Sequence, residues 1–166
     1  MELQKLSQQY TVRKLVREDL DILFDLYRGN EIFYRYHPPF VTRDSILEDM
    51  EALPPGKEPQ DKFYIGFFAG TELAAVMDLI LDYPQEKTGF IGFFMMHTAF
   101  QGRGVGSSII RDCAARLACL GYQKLRLAID QGNPQSEAFW TKNGFVKTGE
   151  EFPNGISAYL PMERML

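Results

Sequence analysis

At 166 residues, with 45% apolar and 24% charged side chains, the chain has material for one sizeable core and reads as a single globular domain spanning Met1 to Leu166. A formal net charge of −4 leaves no basic excess to neutralise phosphates, which excludes nucleic acid as the main partner. Two cysteines and two histidines are too few for a zinc cluster, so no metal is expected, and the most apolar run, the twelve residues Gly89 to Phe100, is too short to cross a bilayer.

The N-terminal MELQKLSQQY lacks the apolar stretch of a signal peptide, and a cytoplasmic location without membrane partners is expected. Tyr10 to Val16 alternates as a first strand. Asp19 to Arg28 carries apolar residues at helical spacing behind acids in its first turn. GNEIFYRYHPPF, ended by two prolines, reads as a loop or broken helix, and Thr42 is the N-cap of a helix over Arg43 to Leu53. After the polar LPPGKEPQDK the period shortens to two. Phe63 to Ala69, Glu72 to Leu81 and Gly89 to His97 are successive strands, the first two joined by a tight turn at AGTE.

Ser107 to Leu120 is helical, with Ile109, Ile110, Cys113, Ala114, Leu117 and Ala118 in one stripe and Gly121 just past its end. Cys113 and Cys119, six residues apart in this helix, lie on different faces and cannot pair; both are expected as buried free thiols. Lys124 to Ile129 is a strand, Pro134 to Lys142 a short helix behind Asn133, and Phe145 to Thr148 and Ala158 to Met162 are final strands. The order is α/β: two early helices, an antiparallel middle and a late β-α-β crossover.

One segment carries chemistry. HTAFQGRGVGSSII, His97 to Ile110, sets Gly102, Gly104 and Gly106 at alternate positions between a strand and a helix, with Arg103 inside the turn. Unpaired N–H groups and the positive dipole end of a helix start bind anions, and glycines let the backbone curl around one. No lysine precedes Ser107, which disfavours a P-loop. A dinucleotide fingerprint almost fits, but Ser107 replaces its third glycine, and too little chain follows to complete a six-stranded dinucleotide domain.

Gln101-Gly-Arg-Gly104-Val-Gly106 resembles the Q/R-x-x-G-x-G/A signature of the GCN5-related N-acetyltransferases (GNAT). Farther on, SEAFWTKNGF after Asn133 is similar to the family's second landmark, an Asn at a splayed strand end followed by a short helix ending in Gly-Phe. The resemblance is strong over Phe90 to Thr148. It implies an α+β fold with a mixed, largely antiparallel twisted sheet of about six or seven strands, a V-shaped splay and about four helices. It also implies acetyl transfer from acetyl-CoA to a primary amine, on a small molecule or a peptide, by direct attack. An acyl-CoA-binding module without catalysis is the alternative, and dimers are frequent in the family.

Residue by residue, the resemblance places the pantetheine arm on the main chain of Phe94 and Met96 and on Asn133. The diphosphate falls on the amides of Gly102, Arg103, Gly104, Val105, Gly106 and Ser107, and Gln101, which opens the signature, is a further cofactor-binding residue. Trp140 stands where many relatives carry a Tyr that protonates the leaving thiolate, so it is expected to pack beside the pantetheine instead. Phe90 stands where some carry a Glu base. His97, Glu137 and Tyr159 are the remaining catalytic candidates. Glu31, Tyr34 and Tyr36 of the early loop, together with Asp78 or its neighbours Asp82 and Tyr83, are the candidate acceptor contacts, offering carboxylates and aromatic faces to a cation.

Overall fold

The computed structural model describes all residues, 1 to 166. Eight strands form one sheet: β1 (Thr11–Lys14), β2 (Lys62–Ala69), β3 (Glu72–Leu81), β4 (Thr88–Met96), β5 (Lys124–Asp130), β6 (Val146–Lys147), β7 (Phe152–Pro153) and β8 (Ala158–Met165). Their spatial order is β1-β2-β3-β4-β5-β8-β6, with β7 also on β8. Every pairing is antiparallel except β4 with β5. Five helices complete the fold: α1 (Leu20–Arg28), α2 (Glu31–Tyr36), α3 (Arg43–Glu51), α4 (Val105–Cys119) and α5 (Pro134–Lys142).

β2 and β3 are buried along almost their whole length because helices cover both faces of the sheet. Odd-numbered residues of β2, including Ile65 and Phe67, join Met77, Leu79 and Ile91 against the stripe Ile109, Ile110, Cys113 and Leu117 of α4. Even-numbered Tyr64 and Phe68 join Val76 and Met95 against Leu23, Leu26 and Tyr27 of α1 and Ile46 of α3. Thr42 caps α3 as its sequence position suggests, its Oγ1 accepting from the Ser45 N–H at 3.0 Å.

Four details differ from the sequence reading. EIFYRY is a short helix, α2, which leaves no residue fully buried and so shows little periodicity. β7 is a two-residue strand, too short for a pattern of its own. α4 starts at Val105, two residues early, which places Gly106 inside it. Cys113 is buried, with its Sγ 3.4 Å from the Leu6 carbonyl, but Cys119 is exposed. Six residues is well over one and a half helical turns, so the second thiol rotates away from the core stripe.

Candidate active site

β4 and β5 run together only from Thr88 opposite Lys124 to Ile91 opposite Leu127. Past that point β4 stays with β3 up to Met96, while β5 follows β8 to Asp130, and a gap opens between them. The His97 N–H donates to the Ala74 carbonyl on the β3 side at 2.9 Å. Strand N–H groups alternate in direction, so those of Met96 and Phe94 face the gap. The Met96 carbonyl is taken by Asn30 Nδ2 at 3.0 Å and Gln101 Nε2 at 3.2 Å, and Gln101 also donates to Asn30 Oδ1 at 2.8 Å. Gln101 thereby ties the glycine turn to the end of α1.

The alternate glycines do two jobs. Gly102 (φ +72°) and Gly104 (φ +78°) hold left-handed backbone that side chains resist. Gly106 is a close approach instead: a Cβ there would stand 3.0 Å from the Phe139 ring, so its absence lets α5 lie against the start of α4. The first intrahelical bond is Ser108 N–H to Gly104 carbonyl at 3.0 Å, which leaves the amides of Val105, Gly106 and Ser107 unpaired within the helix. These amides open on a cavity of about 300 Å³. Phe94, Met96, Gln101, Gly102, Gly104, Val105, Gly106, Ser107, Asn133 and Trp140 all line it, while Arg103, between two lining glycines in the chain, is exposed and not part of the wall. Asn133 is buried and caps α5, its Oδ1 accepting from the Ser136 N–H at 3.1 Å.

A second cavity, of about 630 Å³, lies against the other face of the gap. Phe33, Phe94, Ser136 and Trp140 belong to the walls of both cavities, so the two meet at the opening between the strands. Trp140 is held in place by Phe94 (5.8 Å), Phe139 and Phe145 (both 5.0 Å between ring centres). The second cavity carries three carboxylates, Asp49, Asp78 and Asp130, against one lysine, Lys62, and His37. Burial lifts the Asp78 pKa above the usual carboxylate range, and the Lys62 ammonium at 2.8 Å opposes that shift.

His37, just past α2, stacks on Phe33 at 5.1 Å and sets its Nδ1 3.1 and 3.2 Å from the two Asp130 oxygens. The Asp130 hydrogen bond raises the imidazole pKa, with partial burial opposing. His37 is therefore expected to titrate above the ordinary imidazole value of about 6.5, and Asp130→Asn to bring it back down, as followed by NMR of the ring. In the folding balance this contribution is full below the unfolded imidazole's pKa. It is lost as pH rises through the higher folded value.

Of the other candidates, Tyr159, Tyr34 and Asp78 line the second cavity. His97 lies outside both; its Nδ1 accepts the Ala99 N–H at 3.1 Å and caps a short turn. Glu137 pairs with Lys147 at 2.6 Å on the outside of α5. Glu31, exposed, and Tyr36, half-buried, belong to α2 without reaching either cavity. Asp82 Oδ1 accepts the Lys87 N–H in the β3–β4 loop at 2.7 Å, and Tyr83 packs edge-on against Phe90. Sequence reasoning missed His37, Lys62, Asp49 and Asp130 as a group. Their separation along the chain hides their convergence, although a lysine opening a buried strand was a local signal.

No helix is long and apolar enough to cross a membrane. Among curated proteins nothing matches the chain significantly. Among solved structures, an acetyltransferase from Thermus thermophilus superposes with a TM-score of 0.72 at 20% identity, covering 95% of this chain and 97% of its own. The PaiA N-acetyltransferase of Thermoplasma acidophilum, solved with coenzyme A, gives 0.68 at 19% identity over 95% and 99%. The Vibrio cholerae spermidine N-acetyltransferase, solved with CoA and spermine, gives 0.65 at 21% identity over 96% of each chain. The family model described as the acetyltransferase (GNAT) family matches residues 20–145, from the head of α1 to the Phe145 that packs on Trp140. With the glycine corner, the parted strands and this match in agreement, the chain belongs to the GNAT acetyltransferase family.

Proposed function

We propose that this protein is an acetyl-CoA-dependent N-acetyltransferase that modifies a primary amine entering through the second cavity. The observation that carries this reading is the meeting of two cavities at Phe94 and Trp140 where β4 and β5 part. The residues present fit acetyl-CoA as a co-substrate. Unpaired amides of Val105, Gly106 and Ser107 suit a diphosphate, and the exposed Arg103 between Gly102 and Gly104 adds positive charge to the same turn. The outward N–H groups of Phe94 and Met96 and the amide nitrogen of Asn133 suit the polar groups of the pantetheine arm.

Acetyl-CoA supplies the activated acyl group. The chain's own part is to hold the thioester at the opening, to offer a main-chain N–H from β4 to the carbonyl oxygen as negative charge develops there, and to keep water away with Phe94, Trp140 and Phe33. The second cavity is acidic and walled by the rings of Tyr34, Tyr64 and Tyr159, which suits a cationic acceptor better than an anionic one. The acceptors named for similar folds, spermidine and a ribosomal-protein alanine among them, have only the amine in common.

Acetyl-CoA incubated with a panel of amines is expected to release thiol, with calorimetric binding of CoA in parallel. Neither binding nor release would overturn the reading. Tight CoA binding without thiol release on any amine would instead mark a binding module.

A further inference from the structure

The second cavity contains one group with acceptor capacity to spare. Asp78 is 8% exposed, and its Oδ1 is buried without a hydrogen-bond partner. Its Oδ2 accepts from Lys62 Nζ, which also donates to the Asp49 and Ala52 carbonyls at the end of α3, at 2.9 and 2.8 Å. Three acceptors saturate the lysine. The carboxylate, with roughly four lone-pair positions, keeps most of its own free. A buried acceptor left in that condition costs free energy unless a donor arrives.

Position adds to this. Asp78 is paired with Phe93, and the next residue, Leu79, with Ile91, so Gly92 is a bulge with no partner on β3. The bulge sits one residue past Ile91, the last β4 residue paired with β5, and therefore at the apex of the opening. A Cβ on Gly92 would stand 3.0 Å from Asp78 Oδ2 and 3.6 Å from its Cγ. Glycine there keeps a Cβ off the Oδ2 edge that Lys62 holds, beside the apolar walls Ile80, Phe90 and Phe94, while Oδ1 lies buried next to it without a partner.

Resting on the acetyltransferase reading, we propose that Asp78, reached over Gly92 and held by Lys62, is the catalytic carboxylate that receives the ammonium of a primary amine carried on an apolar stem. One ammonium proton passes to Asp78 and on to solvent. The nitrogen lone pair then forms the N–C bond as the C–S bond breaks, and the second proton lost by nitrogen leaves with sulfur as the thiol. Ammonium and thioester thus become amide, thiol and one released proton. Trp140 need donate nothing, since its indole N–H is not an acid near neutral pH. The charged or titratable groups sharing the cavity with Asp78 are Lys62 and Tyr64 of β2, Asp49 of α3, Tyr34 of α2, His37 beyond it, Asp130 of β5 and Tyr159 of β8.

The probe is n-butylamine, with n-butanol as the uncharged control. Carboxyl-carbon NMR of the CoA-bound protein, with the Asp78 signal assigned by its loss in Asp78→Asn, is expected to show that signal moving with butylammonium and not with butanol. In thiol release, Asp78→Asn is expected to lower kcat/KM at neutral pH by about 100-fold or more. That deficit should close as pH rises toward the amine's own pKa, near the lysine value of about 10.4, because solution then supplies neutral amine. Gly92→Ala, which crowds the carboxylate without removing it, is expected to lose about tenfold or more. Both variants should bind CoA as the unaltered protein does. An Asp78 signal unmoved by butylammonium, or a deficit equal at every pH, would sink the proposal. Absence of thiol release from the unaltered protein counts against the acetyltransferase reading alone, and the NMR result still decides the ammonium site.

Discussion

Gly104→Asp is expected to weaken coenzyme A binding roughly 1000-fold while leaving the fold in place. Placing a carboxylate within about 4 Å of an anion near a protein surface costs on the order of 4 kcal/mol, which is three decades in affinity. The backbone there is left-handed (φ +78°), and no atom lies within 4 Å of a Cβ at this position, so the side chain has room and meets only conformational strain. That strain is about 1–2 kcal/mol for an ordinary residue and less for Asp, which amounts to a few degrees in Tm at this size. Calorimetric titration with CoA separates the two effects. Gly104→Ala carries the strain without the charge and should lose far less affinity, and raising salt should recover part of the Asp variant's loss but not of the Ala variant's. Unchanged affinity in the Asp variant would show that the diphosphate does not lie at this corner.

Lys62→Met is expected to be the most destabilising change near the site. Lys62 is 6% exposed, and its ammonium satisfies two carbonyls at the C-terminal end of α3 as well as Asp78. A cation suits that end of a helix dipole, so the one side chain fastens α3 to β2 and compensates the buried carboxylate together. Removing it leaves Asp78 uncompensated, at a cost of about 3–5 kcal/mol. Thermal unfolding should then begin roughly 6–20 °C lower. The loss should also depend on pH. Burial already raises the folded Asp78 pKa, so its ionisation opposes folding as pH rises through that value, and without Lys62 the folded value climbs further. Destabilisation should therefore shrink as pH falls and Asp78 takes up its proton, and grow as pH rises, with the loss of the two α3 carbonyl contacts remaining throughout. A Tm deficit that ignores pH would mean that the lysine matters for its helix contacts and not for the carboxylate.

Much of the proposed cofactor corner is legible from the chain alone because its determinants are local. Left-handed backbone at Gly102 and Gly104, a strand before them and an amphipathic helix after them are properties of about twenty consecutive residues. The family signature compresses the same local geometry. Gly106 was legible as a motif glycine but not for its reason, since only the packing of α5 shows that Phe139 needs the space. Trp140 lines both cavities between three aromatic rings, a placement its position before Gly144 and Phe145 suggests but does not specify.

The acceptor side resisted the same treatment. His37 and Asp130 are 93 residues apart, and Lys62 and Asp78 are 16 apart on neighbouring strands. Each taken singly reads as an ordinary surface or strand residue. In the sequence Asp78 stands only as one of three acids and aromatics near a strand end, because the bulge beside it is a register shift between β3 and β4 and leaves no mark in hydrophobic alternation. His97, a catalytic candidate by residue type, caps a turn instead, which depends on a backbone path that sequence does not specify.

By itself, then, the amino-acid order determined the strand and helix succession, the glycine turn at the start of α4 and the family, since steric preference and periodicity act between near neighbours. Only the tertiary structure decided which carboxylates share the second cavity and which histidine pairs with one of them. Those choices depend on pairing register, a bulge and the partial burial of charges, and each of these is set by contacts between segments far apart in the chain.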